Sequence, residues 1–395
     1  METTATPAQR TLTNGHLLII VFAQFAGTSL WFAGNAVLPD LTRSLPGMTG
    51  WITSAVQIGF VGGTLLYALL AIPDRFPASR VFLVSVVLAA GANVSWLVGP
   101  VRADALLVSR FLTGFFLAGV YPVGMKIAAD WFRPVLGRAM GFLVGALVIG
   151  TAFPHLIRGL GSTLPYRAIL LSVSALAILG GLFLALFIPS KPVTKQPVGF
   201  QFAQLSALFR PSGYRPAMLG YFGHMWELYT FWAFAPMLIA LYAAQHPNIH
   251  INASVWTFGL IASGSVGCVL GGFWALRSGS SRVARTFLFV SGASIVLVPW
   301  MLHVSPTLFS LFLAVWGLTV ASDSPQFSTL VANHAPVANK GSVITLVVSI
   351  GFLITVVSIQ LMAGLVAQVG PSVWLFYLLL PGPMLGVWAS RGGRK

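Results

Sequence analysis

Two carboxylic acids stand inside long runs of apolar residues, where an ionised side chain has no water around it. Glu227 lies about twelve residues into an apolar run that starts near residue 216, and Asp323 about sixteen residues into one that starts near 308. A carboxyl group removed from water favours its neutral form, so it can bind a proton on one side of a barrier and release it on the other. Both acids are therefore candidates for proton coupling. The alternative is a neutral or paired carboxyl that only ties helices together.

His224 precedes Glu227 by three residues, which places the two side chains on one face of a helix. Because histidine titrates near neutral pH, this pair could share a proton. The simpler interpretation is a histidine that bonds to a neighbouring helix. No further His or Cys follows at ligand spacing, and the single cysteine, Cys268, lies in an apolar run. The sequence therefore predicts no metal site and no cofactor.

Polar and aromatic side chains in other apolar runs are candidates to contact a solute. A midspan amide in lipid prefers an interior partner, whereas a midspan aromatic ring more often serves packing. The predicted substrate-binding set is Gln24, Trp31, Asn35, Gln57, Tyr121, Trp226, Tyr229 and Arg110. For Arg110, a structural role or a role in modulating the proton site stays open beside direct binding. His155 and Arg158 form another pair three residues apart, and extension toward lipid head groups is the default for Arg158.

The composition indicates that these residues lie in a membrane. Of the 395 residues, 57% are apolar or aromatic and 7% are charged, whereas about a quarter are charged in soluble domains. A membrane helix needs about 20 mostly apolar residues, and continuous runs exclude a transmembrane β-barrel, whose strands alternate. We predict an all-α membrane protein with twelve spans, at residues 16–39, 49–72, 81–99, 105–127, 138–159, 168–189, 216–241, 254–276, 286–303, 308–332, 341–367 and 373–389.

The charge distribution predicts the orientation of these spans. The net charge is +15, and the basic residues stand in short gaps without the clustered basic face that nucleic acid requires. Seventeen Lys and Arg residues fall in one set of loops and termini, and four, at Arg43, Arg102, Arg158 and Arg167, fall in the other set. Since short cytoplasmic loops are enriched in basic residues, we expect both termini in the cytoplasm and no nucleic-acid partner.

The chain divides into two halves of six spans each. The longest polar gap carries four basic residues and no acid, and it predicts an N-terminal six-helix bundle at 1–189, a cytoplasmic central loop at 190–215 and a C-terminal six-helix bundle at 216–395. Gly114 precedes Pro122 by eight residues in span 4, and Gly317 precedes Pro325 by eight in span 10. The two glycines are 203 residues apart, and so are the two prolines. This shared offset favours a duplicated unit of parallel topology.

Two motifs resemble the major facilitator superfamily. The loop between spans 2 and 3 reads Asp-Arg-Phe-Pro-Ala-Ser-Arg over residues 74–80, and span 4 carries Arg110 followed by Gly114. The resemblance covers nearly the whole chain. It implies two pseudo-twofold-related bundles, a transporter that works by alternating access, a central site between the halves, and a structural or coupling role for Arg110. It also implies a gating latch at the inner surface, formed by Asp74, Arg75 and Arg80.

The expected function is secondary active transport of a small organic solute, coupled to protons. A uniporter or a solute exchanger that uses no protons is the alternative. We do not expect an enzyme, because the short loops hold almost no acids for a membrane-embedded acyltransferase. A channel would need rings of charge or a filter sequence. The expected partners are a small-molecule substrate, protons and the lipid bilayer. We expect a monomeric, multi-pass protein of a bacterial inner membrane.

Overall fold

The computed structural model describes residues 13–41, 45–132, 136–161, 164–189, 214–335 and 340–391, and these residues are helical apart from short connections. Twelve helical segments are long and apolar enough to cross a membrane. Spans 1 to 12 are Asn14–Leu41, Thr49–Leu69, Ala78–Ser95, Ala103–Trp131, Arg138–Leu160, Tyr166–Phe187, Arg215–Gln245, Ala253–Ser278, Ser280–Met301, Pro306–His334, Val343–Val369 and Val373–Ser390. All twelve predicted spans are confirmed; their ends agree to within four residues except at the start of span 9, which begins six residues earlier than predicted. A four-residue helix, Ile72–Arg75, lies between spans 2 and 3.

An even number of spans brings the described ends of the chain, near residues 13 and 391, to one face of the bundle. We call this the terminal face, and the opposite face, which carries the connection at 45–48, the far face. Most of the predicted central loop, residues 190–213, lies outside the described residues. The domain boundaries therefore remain predictions.

Four spans consist of two helical pieces. Span 1 divides into Asn14–Thr28 and Ala33–Leu41, span 4 into Ala103–Leu117 and Tyr121–Trp131, span 10 into Pro306–Ser322 and Ser324–His334, and span 12 into a 3₁₀ helix, Val373–Leu379, and an α-helix, Pro381–Arg391. In spans 4 and 10, Pro122 and Pro325 lack the amide hydrogen that would continue the helix. The interruption of span 1, between Thr28 and Ala33, contains no proline.

The spans of the two halves pack in the same pattern. In the first half span 1 packs on spans 5 and 6, span 4 on spans 2 and 3, and span 3 on span 6. In the second half span 7 packs on spans 11 and 12, span 10 on spans 8 and 9, and span 9 on span 12. Adding six to each span number of the first half gives the second set, which is the expected arrangement of two pseudo-twofold-related bundles.

Glycines allow the closest helix approaches inside each half. A Cβ atom added to Gly114 in span 4 would overlap the backbone oxygen of Val56 in span 2. A Cβ atom added to Gly317 in span 10 would overlap the backbone oxygen of Leu260 in span 8. Small residues let backbones approach in this way in membranes. The two glycines that the sequence paired by their offset thus make equivalent contacts in the two halves.

Two helix pairs make the most extensive contacts between the halves. Span 2 packs on span 11, where Nε2 of Gln360 donates to Oγ of Ser54 at 2.8 Å, and span 5 packs on span 8, where Nδ2 of Asn252 donates to the backbone oxygen of Gly159 at 2.8 Å. Gly145 lies at the second contact, where an added Cβ would be 3.2 Å from the backbone oxygen of Ser265. These two contacts flank the space in which the candidate site lies.

Candidate functional site

A cavity of about 460 Å³ lies between the halves at the far face. The ends of spans 1, 2, 5 and 11 and the far-face parts of spans 7 and 8 form its wall. Its polar lining residues are Asn35, Thr49, His155, Trp232, Ser254 and Thr257, and the remainder of the lining is apolar. Asn35, a predicted substrate contact, is therefore placed at a cavity between the halves.

Six aromatic rings meet at midspan, three from each half, and form what we call the aromatic cluster. Its members are Trp31, Phe32 and Phe60 from the first half and Tyr229, Trp232 and Phe352 from the second, each at most 5% exposed. Ring centroids lie 4.5 Å apart for Phe60 and Phe352 and 5.9 Å apart for Trp31 and Tyr229. Because Trp232 also lines the cavity, the cluster forms the cavity floor. Trp31 and Tyr229, both predicted substrate contacts, lie in this barrier.

His224 and Asp323 form a buried pair on the terminal-face side of the aromatic cluster. Nδ1 of His224 lies 2.7 Å from Oδ1 of Asp323, and the side chains are 1% and 2% exposed. Asp323 occupies the break of span 10, where its backbone oxygen accepts from the amides of Gln326 and Phe327 at 3.0 Å. Its carboxyl group does not cap the following helix, although aspartate often does so. The side chain is thus free to face His224.

Glu227 is held inside the second half and not by His224. Its Oε1 accepts from Oγ of Ser291 in span 9 at 2.5 Å and from Nε1 of Trp316 in span 10 at 3.0 Å. The sequence suggested a His224–Glu227 pair. The observed pairing joins His224 to Asp323 of span 10, whereas Glu227, on the same span as His224, bonds to spans 9 and 10.

Arg110 is fully buried and holds the interruption of span 1. Its Nη1 donates to Oδ1 of Asn93 at 2.8 Å, and its Nη2 donates to the backbone oxygen of Leu30 at 3.0 Å and to that of Trp31. The first backbone bond of the helix after the interruption runs from the amide of Ala36 to the oxygen of Phe32, so the oxygens of Leu30 and Trp31 lie before the helix resumes and can accept from Arg110. Arg110 does not line the cavity at the far face, so its geometry favours the structural role.

The remaining predicted binding residues lie in different surroundings. Gln24 and Gln57 are fully buried, and neither amide group has a hydrogen-bond partner among the described residues. Tyr121 lies near Tyr221 of span 7. Nε1 of Trp226 donates to the backbone oxygen of Leu378 in span 12 at 2.7 Å, so this side chain is turned away from the space between the halves.

The predicted gating loop makes one ionic contact with span 4. Oδ1 of Asp74 lies 3.4 Å from Nζ of Lys126, which also lies 3.0 Å from Asp130. Arg75 and Arg80 are exposed and form no ion pair with any acid in the described parts of the chain. Among the described residues, Lys126 is therefore the basic partner of Asp74 at the terminal face.

Sequence reasoning missed the partners of several charged side chains. Arg158 pairs with Asp40 at 2.6 Å, which joins the far-face ends of spans 5 and 1, where extension toward lipid was the default interpretation. The sequence also did not indicate Ser291 or Trp316, because serine and tryptophan are common in these apolar runs. In the ranges that the structure describes, no three His, Cys, Asp or Glu side chains form a group that could hold a metal ion.

Comparisons with known proteins give the family. The family model of the Major Facilitator Superfamily matches residues 17–358. The crystal structure of the human organic anion transporter MFSD10 (TETRAN) superposes with a TM-score of 0.71 at 18% identity, covering 96% of this chain and 99% of that chain. A mutant of the nucleoside transporter NupG superposes with a TM-score of 0.73 at 17% identity, with the same coverage. No curated protein sequence matches the chain significantly. The family match over most of the chain and the shared twelve-span fold identify this chain as a member of the Major Facilitator Superfamily and a membrane transport protein.

Proposed function

We propose that the protein is a secondary active transporter that moves a small organic solute by alternating access and couples this movement to protons. The observation that carries the proposal is the buried His224–Asp323 pair, 2.7 Å apart at the break of span 10. An ionisable pair at this depth is expensive to insert and marks a functional site in membrane proteins.

The cavity and the aromatic cluster support alternating access. The cavity lies between the halves at the far face, and the cluster below it takes three rings from each half. A relative rotation of the halves would separate these two sets of rings and open a route to the terminal face. The glycine-lined contact between spans 5 and 8 suits such a motion, because small residues leave few side chains to interlock.

The geometry around Asp323 supports proton coupling. The pair can hold a proton on either partner, and Nε2 of His224 has no hydrogen-bond partner among the described residues. That free nitrogen is the position at which we expect a proton to arrive or leave. Asp323 also occupies the junction of the two helices of span 10, so a change in its charge falls at the break.

Glu227 has a supporting role in this proposal. Its two donors, Ser291 and Trp316, come from the same half of the protein, so they hold the carboxyl group whichever way the halves rotate. We propose that Glu227 binds a proton in support of the pair and does not contact the solute. Asp74 and Lys126 act as the latch at the terminal face; such a surface pair contributes only about 0–1 kcal/mol, so it matters by shifting a closely balanced equilibrium.

The test is proton flux into proteoliposomes that contain a pH dye. Organic acids, amines, sugars and drug-like cations are added in turn to vesicles with the wild-type protein, Asp323→Asn or Glu227→Gln. Asp104→Asn is the matched control, because this acid pairs with Arg102 at an exposed position outside the site. We expect a solute-dependent proton signal that Asp323→Asn abolishes and Asp104→Asn retains.

Two results would overturn parts of this proposal. Proton-driven accumulation that persists when Asp323→Asn and Glu227→Gln are combined excludes these acids from coupling. Solute counterflow without any proton signal in the wild type identifies a uniporter or an exchanger.

We also propose that the terminal face is cytoplasmic, in a bacterial inner membrane, and that the protein acts as a monomer. The excess of basic residues in the loops and termini on that side supports this orientation. Reporter fusions at the C-terminus test the orientation, and sedimentation in detergent tests the oligomeric state.

A further inference from the structure

We propose that the far-face cavity selects an uncharged, largely apolar solute that offers both a hydrogen-bond donor and a hydrogen-bond acceptor. This inference rests on the transport function proposed above and gives the chemical class of its substrate. It depends on three features of the cavity: its unpartnered polar atoms, its lack of charge and its aromatic floor.

Three buried polar atoms of the lining residues have no hydrogen-bond partner in the described structure. They are Oδ1 of Asn35, Nε1 of Trp232 and Nε2 of His155, on side chains that are 8%, 1% and 3% exposed. Buried polar groups are normally satisfied, so a solute that binds in the cavity could supply the partners that these atoms lack. The asparagine oxygen accepts, the indole nitrogen donates, and the imidazole nitrogen can do either. A complementary solute therefore carries a donor and an acceptor.

Two of these atoms, on Asn35 and Trp232, are held in place by their own surroundings. Nδ2 of Asn35 donates to Oγ1 of Thr53 at 2.7 Å, which orients the free oxygen. The indole of Trp232 packs edge-on against Phe32 and Tyr229, with ring centroids 6.2 and 5.4 Å apart. Because the groups are positioned before a solute arrives, little ordering is needed on binding.

The described lining of the cavity offers no charge to a charged solute. Among the residues that the structure describes there, none is a Lys, Arg, Asp or Glu. The charges beside its rim, Arg158 and Asp40, neutralise each other at 2.6 Å, and Arg110 is directed at the carbonyls of span 1. His155 forms no ion pair with an acid of the described residues that would favour its charged form. An ion that left water here would lose its hydration without gaining a counter-charge.

The floor and the volume favour an apolar body. The aromatic cluster closes the cavity from below, and most of the lining is apolar. A volume of about 460 Å³ lies in the range of sites for drug-sized ligands. A planar apolar solute could rest on the floor while its polar groups reach the three unpartnered atoms.

The first test measures which reagents enter the cavity. Cys268 is the single cysteine of the chain and is buried, so Cys268→Ala provides a background without a reactive thiol. Ser254→Cys then places a thiol in the cavity lining, and Asn248→Cys places one in the exposed connection between spans 7 and 8 at the same face. Labelling rates are compared for three methanethiosulfonates: the uncharged methyl, the anionic sulfonatoethyl and the cationic trimethylammonioethyl reagents.

We expect the uncharged reagent to label Ser254→Cys at least tenfold faster than either charged reagent, after division by the corresponding rates at Asn248→Cys. Equal normalised rates for the charged reagents would overturn the claim that the cavity excludes charge.

The second test uses three probes that share one ring system. Indole-3-acetamide is uncharged and carries a donor and an acceptor, indole-3-acetate is an anion, and tryptamine is a cation. We expect the amide to slow labelling of Ser254→Cys by the uncharged reagent several-fold and the two ions to leave it unchanged. Trp232→Phe keeps a ring in the floor but removes the indole donor, so protection by the amide should weaken in that variant.

The outcomes separate this inference from the proposed transport function. Protection by an ion that equals protection by the amide, or no protection by the amide at millimolar concentration, overturns the solute class. Labelling does not involve proton coupling, so a charged solute that drives proton flux would overturn the class and leave the coupling intact. Charge-selective labelling together with proton flux that does not depend on solute would support the solute class and overturn the proposed coupling.

Discussion

Replacing Gly317 by alanine should force spans 8 and 10 apart. The added Cβ would overlap the backbone oxygen of Leu260, and it would lie 2.9 Å from the carbonyl carbon of that residue and 2.5 Å from Oγ of Ser263. The serine can rotate away, but a backbone oxygen cannot. The helices must therefore separate where they now touch.

The size of the effect follows from two opposing contributions. Overpacking a tight contact costs about 1–3 kcal/mol, and a clash with backbone places this variant near the upper end. Alanine gains about 0.8–1.0 kcal/mol over glycine in a helix. We therefore expect Gly317→Ala to lower the free energy of unfolding by about 2 kcal/mol.

Gly259 provides a matched control in span 8. An added Cβ there meets no atom within 4 Å, so Gly259→Ala should be neutral or stabilise the protein by about 0.5–1 kcal/mol. Gly114→Ala in span 4 should behave like Gly317→Ala, because its Cβ would overlap the backbone oxygen of Val56.

The assay is thermal unfolding of the purified variants in one detergent, followed by tryptophan fluorescence and checked by size-exclusion chromatography. We expect lower midpoints for Gly317→Ala and Gly114→Ala than for the wild type, and an equal or higher midpoint for Gly259→Ala. If Gly317→Ala and Gly259→Ala unfold at the same temperature, the close backbone contact between spans 8 and 10 does not exist as described.

Three further substitutions test other parts of the structure. Arg110→Lys should lower the unfolding midpoint by several degrees, since one ammonium cannot replace the hydrogen-bonding fork, and each hydrogen bond to a charged group is worth about 1.5–3 kcal/mol; an unchanged midpoint would contradict this. Asp74→Asn should slow transport and leave insertion and thermal stability unchanged, because its pair with Lys126 is at the surface; normal turnover would remove the latch from the mechanism. Phe352→Ala should raise the glycerol permeability of proteoliposomes in shrinkage measurements, whereas Phe376→Ala, an equally buried truncation outside the aromatic cluster, should not; equal permeability would show that the cluster is not the barrier.

The sequence predicts the spans well because lipid imposes a simple requirement on them. Every span must be a helix of sufficient apolar length, so composition alone places all twelve to within a few residues. The offset between Gly114 and Gly317 also has physical content, because both glycines are needed at the same helix crossing in the two halves.

The internal geometry of the site was less predictable. Glu227, Asp323 and His224 could be selected because ionisable residues are rare in apolar runs, but their pairing depends on how spans 7, 9 and 10 pack. Ser291 and Trp316, which bind Glu227, have no feature in the sequence that separates them from other serines and tryptophans.

Arg110 illustrates the same limit in the other direction. Its burial could be inferred, but its partners are two backbone oxygens of span 1, freed by an interruption that contains no proline. A backbone acceptor leaves no trace in residue type, so the sequence could leave a structural role for Arg110 open but could not identify these partners.

The partners of Arg110 also bear on the order in which the protein assembles during synthesis. Asn93, Leu30 and Trp31 all precede Arg110 in the chain, so the buried guanidinium of span 4 can make its hydrogen bonds to helices that are already in the membrane. The second half is built the other way round. Span 7 brings Glu227 and His224 into the bilayer before Ser291, Trp316 and Asp323 have been made. The first half can therefore complete its polar contacts as it emerges from the ribosome, whereas span 7 must wait for spans 9 and 10.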